Sequence, residues 1–565
     1  MKSVKHSLLS LFFISLSFAT LGQGESVKVE APKNWHLLDK AESGYYGISL
    51  DKAYKFISGK KSKTVIVAVI DSGIDTLHED LQPVLWHNPK EIPGNGKDDD
   101  NNGYADDLYG WNFIGGKDGR NVKEDSYEVA RVYYKLKQKY GDAVPDTSSV
   151  SPEQKEEIKM YQKAKEKIEG NETGGGLDLE FMKKINAALH NSDSILKIAM
   201  QTDVYAAKDL DTLNNAQSAV LKAKSAFYGM MKANNSLDQT NKTFLDDFDE
   251  YLSSEAKKSE QKSNPPKDYR GEIIKDDESD INDRFYGNND VMTGTPTHGT
   301  FCAGLIGASR NNGKGIQGIA DNVKIMMIRA VPDGDEHDKD IANAIRYAVD
   351  NGAQIISMSF GKDFSPEKNW VDDAVKYAES HNVLLVHAAG NDKENIDSTD
   401  NFPNPVYADG AGRAANFITV GASGDPANGG ITASFSNYGK KEVDLFAPGV
   451  QVYSTMPGGN NYGKLSGTSF SCPIVAGVAA LVLEYYPDLS AAQLKYVIEK
   501  SASPVSEKID VPGSDEKVNL SDISKSGGIV NAYEAIKLAS TIKGNRATQE
   551  PAIRVNPKLI QKKRG

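Results

Sequence analysis

Between Thr64 and Ile70 the chain reads TVIVAVI, an unbroken apolar run rich in β-branched residues. A strand buried on one face alternates apolar and polar positions. An unbroken run implies burial on both faces, as in the interior of a parallel sheet. This run stops at Asp71-Ser72-Gly73, and similar runs recur at Val323 to Ile328, Ile355 to Ser359, Val383 to Ala388 and Phe417 to Val420. Helix-like stretches, among them Asp340 to Asp350 and Trp370 to His381, lie between them. Strands alternating with helices predict an α/β domain on a doubly wound, mostly parallel sheet.

From about Asp118 to Lys262 the pattern changes to long, charged, helix-favouring stretches with few β-branched runs. Ser151-Pro152-Glu153-Gln154 fits a capping box with proline at the first helical position, after which Ile158, Tyr161, Ala164 and Ile168 share one face. This predicts an inserted all-α subdomain with its return segment, 118–284. It divides the α/β domain into a first part, 23–117, and a second part, 285–540, and a basic tail follows at 541–565. Lys2, Lys5 and the short apolar run Leu8 to Phe18 read as a signal peptide, 1–22, implying export to a periplasm or the exterior. The run is too short for a transmembrane anchor, which needs about 20 apolar residues.

Composition narrows the function. The chain has 565 residues, of which 39% are hydrophobic and 25% charged, enough for a packed core. Its formal charge of −12 argues against a nucleic-acid partner. Two cysteines, Cys302 and Cys472, exclude a disulfide-dense scaffold and a four-cysteine zinc site.

One set of residues carries chemistry. Hydrolysis by a serine nucleophile needs a hydroxyl, a base to take its proton and a carboxylate to hold the base in the right tautomer. Asp71 sits where a doubly buried strand ends, at the sheet edge where open α/β folds place their sites. His298, alone among nine histidines, is framed as Thr-His-Gly-Thr ahead of a small apolar helix. Ser469 lies in Gly467-Thr468-Ser469-Phe470-Ser471-Cys472-Pro473, which runs into another apolar helix.

VIDSGID at 69–75, HGTFCAG at 298–304 and GTSFSCPIVAG at 467–477 resemble, in that order, the three signatures of the subtilisin-like serine proteases, the subtilases. The resemblance covers roughly 33–117 and 285–540. It implies Ser469 as nucleophile, His298 as general acid and base, Asp71 as its orienting partner and Asn391 as an oxyanion-hole donor. It also implies that Ser357, Met358, Ser359, Phe360 and Gly361 pair with substrate backbone, and that with Ala388, Ala389 and Gly390 they border the primary specificity pocket. The substrates implied are proteins or peptides; oligomeric state is not readable.

Asp98-Asp99-Asp100-Asn101-Asn102-Gly103 copies the first half of an EF-hand loop but lacks its twelfth-position glutamate, since Tyr109 stands there. Asp98, Asp100, Asn102, Tyr104, Asp106 and Asp107 are the candidate oxygen donors for a structural calcium ion. Cys302 and Cys472 are each expected one helical turn behind a reactive residue, as inert buried thiols or as a pair.

Two departures from the family stand out. About 40 to 45 residues separate the leader from the aspartate strand, too few for a standard propeptide, and Asp71 and His298 are 227 residues apart. The insert that causes this spacing either governs access or folding, or faces outward. A different class of function is a catalytically silent, protease-fold scaffold that binds through the insert.

Overall fold

The computed structural model describes residues 31–170, 179–214, 216–233, 237, 240–293, 296–424 and 430–546. The leader and most of the basic tail lie outside the described residues. The chain divides into a larger unit, 31–128 with 267–565, and a smaller unit containing 129–266. Segments 118–128 and 267–284, expected with the helical insert, fold with the larger unit. Buried Arg270 fixes the second segment there, pairing with Asp340 and Asp276 at 2.7 Å each, and Arg329 donates to the Val122 carbonyl of the first.

The larger unit is built on β1 (Val65–Asp71), β2 (Gly110–Asn112), β3 (Val323–Arg329), β4 (Ile355–Met358), β5 (Leu384–Ala388), β6 (Phe417–Ser423) and β7 (Leu445–Pro448). There follow β8 (Val452–Met456) and β9 (Asn461–Leu465), a separate hairpin, then β10 (Ser503–Pro504), β11 (Ile509–Asp510), β12 (Lys517–Val518) and β13 (Gly528–Ile529). The main sheet has the order β10-β13-β7-β6-β5-β4-β1-β3-β2. Its pairings are parallel except at the β10 edge. This is the doubly wound sheet the apolar runs predict, and each anticipated strand falls within a few residues of its expected span.

The strand order reverses about β1: the chain first builds outward to β3 and β2, then back through β4 to β7. The crevice beyond the carboxyl end of β1 is therefore the topological switch point, where open α/β sheets bind ligands. Asp71 is the last residue of β1, in register with Arg329 of β3.

Helices Thr297–Gly307 and Thr468–Tyr485 are almost wholly buried on one side of this sheet. Among the described residues, only Thr468–Tyr485 is long and apolar enough to cross a membrane, and it is a core helix here. Uniform apolarity, rather than one apolar stripe, is what an enclosed helix requires.

The smaller unit is helical, with Pro152–Glu169, Leu179–Met200, Ser218–Ala233 and Asn241–Ser263 as its long elements. The capping box forms as read: Ser151 Oγ accepts from the Gln154 N–H at 3.2 Å, and Gln154 Oε1 accepts from the Ser151 N–H at 3.3 Å. Ile158, Tyr161, Ala164 and Ile168 are the buried face of that helix.

Candidate active site

Asp71 is buried, and its Oδ1 and Oδ2 lie 2.9 and 3.0 Å from His298 Nδ1. The Ser72 N–H donates to the same carboxylate at 2.7 Å. Gly299 permits this approach: a Cβ there would stand 2.1 Å from the Gly73 carbonyl oxygen and 3.1 Å from Asp71 Oδ1. The glycine after the histidine thus lets the helix start press onto the end of β1.

An ionised carboxylate only accepts hydrogen bonds, so Nδ1 carries the proton and Nε2 is the basic nitrogen. Burial works against protonating His298. The charge of Asp71 and its hydrogen bond override this and hold the imidazole well above the ordinary histidine value.

Ser469 is the second residue of its helix, and Pro473 stands four residues on. Proline has no N–H, so the Ser469 carbonyl loses its helical donor. Two groups replace it: Ser359 Oγ donates at 2.8 Å and Cys302 Sγ at 3.5 Å. Cys302 Sγ is also 3.9 Å from His298 Nδ1, and the Phe470 ring centroid is 5.4 Å from that of His298. These contacts gather Ser469, His298 and Asp71 at the switch point. The Ser469 hydroxyl donates to the Ser359 carbonyl at 3.4 Å. Both cysteines are buried, separate thiols. Burial raises the Cys302 thiol and pushes Cys472 up to about 12, so neither is a thiolate at neutral pH.

Asn391 is oriented by Thr468, a residue of the serine motif to which the sequence pattern assigns no role. The Thr468 N–H and Oγ1 donate to Asn391 Oδ1 at 2.9 and 3.0 Å. A backbone N–H can only donate, so the atom it meets is the amide oxygen, and the Nδ2 hydrogens are left for another acceptor. Thr468 Oγ1 in turn accepts from the Gly390 N–H at 3.1 Å. Gly390 has φ +99°, and a Cβ there would lie 2.4 Å from Asn437 Nδ2, so this turn needs glycine. Asn401 Nδ2 donates to the Ala388 and Ala389 carbonyls at 3.3 and 2.9 Å, which braces this wall.

The expected substrate segment needs correction at its start. Ser357 and Met358 are buried within β4, laddered to β1 on one side and β5 on the other, so their backbone groups are spent in the sheet. The Ser357 hydroxyl lies 3.5 Å from Cys472 Sγ, facing the core. Ser359, Phe360 and Gly361 lie beyond the end of the strand, and Ser359 is bonded to Ser469.

The acidic loop also differs from its expected form. Asp98 and Asp100 converge with Glu91, the ligand atoms of the three lying within 4.8 Å of one another. Glu91 sits outside the motif. It is held by the N–H groups of Asp99 at 3.0 Å and Asp106 at 3.0 Å, and its carboxyl is raised by burial and by the charge of Asp100. Three hard carboxylates at this spacing fit a calcium ion, whose oxygen ligands stand about 2.3–2.6 Å from it. Asp106 and Asp107 are not part of this cluster. Asp106 accepts from the Asn95 and Gly96 N–H groups, and Asn102 Oδ1 accepts from the Tyr104 N–H. The Tyr104 ring is buried among aromatic side chains. Asp107 is buried, bonded to Asn88, Asn102 and Tyr347, and pushed up to about 7 by that burial. The sequence pattern placed these oxygens in one loop; burial turns the Asp107 side chain inward, whereas the donor expected of Tyr104, the seventh position, is its main-chain carbonyl.

The chain matches the model of the Subtilase family, Peptidase S8, over residues 62–524, and it belongs to that family. It is 37% identical over 240 residues to the thermophilic serine proteinase of Bacillus sp. (strain AK1), covering 42% of this chain and 53% of that protein. It is 34% identical over 255 residues to thermitase of Thermoactinomyces vulgaris, covering 45% and 79%. Alkaline elastase YaB of Bacillus sp. (strain YaB) is 34% identical over 262 residues, covering 45% and 60%. The chain spans about half the length of the first of these relatives.

Proposed function

We propose that this chain is an exported serine endopeptidase that cleaves peptide bonds through an acyl-enzyme. The observation that carries the proposal is the Asp71–His298 pair, made at 2.9 Å by residues 227 apart at the switch point of the sheet. Ser469 Oγ attacks the scissile carbonyl carbon and passes its proton to His298 Nε2. The imidazolium, stabilised by Asp71, then protonates the leaving amine. A water molecule, deprotonated by the same nitrogen, releases the acyl group and restores the serine. The Asn391 amide and the Ser469 N–H stabilise the oxyanion formed in both steps. Membership of the subtilase family and the relatives' own descriptions as proteinases support this reading. Its test is reaction of the purified protein with a fluorophosphonate probe and mapping of the adduct. Modification at Ser469 is expected; an unlabelled or differently labelled protein rejects the proposal.

Asn391→Ala is expected to lower kcat by about 10²- to 10³-fold with KM little changed, the size of the effect in subtilisin when the corresponding donor is lost. A steady-state comparison on one peptide substrate checks this. A KM effect alone would assign Asn391 to substrate binding.

Glu91, Asp98 and Asp100 are the residues proposed to hold calcium, which would serve to neutralise their mutual repulsion and fix the loop. An ion present at a hundred times its Kd stabilises the folded state by about 2.7 kcal/mol. A chelator is therefore expected to lower Tm by about 3 °C for a unit of this size. Calcium, and not magnesium, should restore it, and a melting curve indifferent to chelator removes calcium from the proposal.

A further inference from the structure

Lys362 follows the segment Ser359–Gly361 and is buried, its side chain only 2% exposed. A buried ammonium must have its three donors satisfied. Here Nζ meets Glu128 Oε2 at 2.7 Å, Asp338 Oδ1 at 2.9 Å and the Glu336 carbonyl oxygen at 2.8 Å. Asp338 is itself fixed by Ser365 Oγ at 2.9 Å and the Glu367 N–H at 2.8 Å. The main chain of Lys362 is pinned as well. Its N–H donates to the Phe402 carbonyl at 3.1 Å, and the Phe402 N–H donates to the Lys362 carbonyl at 2.9 Å.

Asn401, next to Phe402, braces the Ala388 and Ala389 carbonyls, and a Cβ on Gly361 would stand 2.6 Å from Asn401 Oδ1. Lys362 thus anchors one wall of the substrate slot and, through Phe402 and Asn401, ties it to the other. Replacing a buried ion pair by apolar groups is often neutral or stabilising, so fold stability alone is a weak reason for an ammonium here.

We propose that Lys362 is a positioning residue, which, clamped by Glu128, Asp338 and the Glu336 carbonyl, holds Ser359–Gly361 in place for pairing with the backbone of an extended substrate. This rests on the endopeptidase reading above. Lys362 touches no reacting atom and acts through the segment before it.

The test compares a single-residue acyl ester with a peptide amide carrying four residues on the acyl side. Lys362→Met alone takes the buried counter-charge from Glu128 and Asp338. The triple change Lys362→Met, Glu128→Gln and Asp338→Asn removes the ammonium and its two paired carboxylates together, leaving the buried Glu336 carboxyl in place. In the triple variant KM for the longer substrate is expected to rise about tenfold, the equivalent of one main-chain hydrogen bond. Its kcat, the kinetics of the short ester and the rate of fluorophosphonate labelling should stay within about twofold, since pairing contributes to binding rather than chemistry. Equal losses on both substrates, or none on either, overturn the proposal. Should the triple variant not fold, Glu128→Gln, which leaves the ammonium paired with Asp338, gives a smaller KM effect confined to the longer substrate, and its absence counts equally against the idea. Failure of the wild-type protein to label at Ser469 would instead remove the endopeptidase reading, so the two failures are distinct.

Discussion

Ser469→Ala is expected to lower peptide turnover by on the order of 10⁶-fold, as loss of the nucleophile does in subtilisin, and to abolish fluorophosphonate labelling. The variant should fold normally, because the packing contacts at this position are made by the backbone. Ser359 Oγ and Cys302 Sγ bond to the Ser469 carbonyl, which alanine keeps. Among the described residues, the side-chain hydrogen bond lost is the one to the Ser359 carbonyl, at 3.4 Å. Matched Tm values for variant and wild type therefore accompany the loss of turnover. The residual rate should still exceed the uncatalysed one, because Asn391 and its Thr468 support are intact. Appreciable turnover in a folded alanine variant would mean that Ser469 is not the nucleophile.

Asp71→Asn is expected to reduce kcat by about 10⁴-fold near neutral pH, the cost of forcing the wrong tautomer on a catalytic histidine. The asparagine amide can donate to Nδ1, which moves the imidazole proton to Nε2 and removes the base. The pH dependence gives an independent check. His298 accepts a proton only when neutral, so activity falls as pH drops through its folded pKa. Because the Asp71 charge holds that pKa well above the ordinary value near 6.5, the acid limb of the wild type should lie on its alkaline side. Asp71→Asn removes the larger of the raising influences, leaving burial opposed only by the neighbouring Cys302, and the limb should move to lower pH.

The same shift carries a sign for stability. A histidine that binds its proton more tightly when folded stabilises the fold fully below its unfolded pKa, and that contribution disappears as pH rises through the folded value. His298 is 37% exposed, so solvent screening keeps the term small, and the kinetic profile is the sharper measurement. An acid limb unmoved by Asp71→Asn would separate Asp71 from the imidazole that titrates.

Much of the fold could be read from residue order. Strands β1, β3, β4, β5 and β6 were visible because burial on both faces leaves a nearly continuous apolar signal, broken only by single polar residues such as Lys324, Ser357, His387 and Thr419. The Ser151 cap was visible for a similar reason, being a local exchange of hydrogen bonds over three residues. Of the proposed site, Asp71, His298 and Ser469 stand out in the sequence because each sits at a strand end or helix start framed by glycine and small residues, whereas Asn391 is singled out only by its resemblance to the family's pattern.

Other features had no local trace. Ser357 and Met358 look in sequence like a continuation of Ser359–Gly361, and only their ladders to β1 and β5 take them out of reach of a substrate. Glu91 lies outside the acidic motif and joins Asp98 and Asp100 only when the loop closes. Thr468 orients Asn391 across 77 residues. Lys362 has the same letter as any surface lysine, yet it is buried against Glu128, 234 residues away.

The sequence by itself determined the doubly wound sheet, the presence of a long helical insertion and the identity of the groups able to do acid, base and nucleophile chemistry. These follow from desolvation and backbone preference, which act over a few residues and repeat with the period of the element. The tertiary structure alone decided which groups meet, which tautomer His298 takes, which carboxylates remain available for a metal and which lysine is enclosed. Those outcomes depend on the register of parallel strands and the docking of two core helices on the sheet. Each such contact joins residues that are distant along the chain, and its free energy belongs to the pair, so neither residue records it alone.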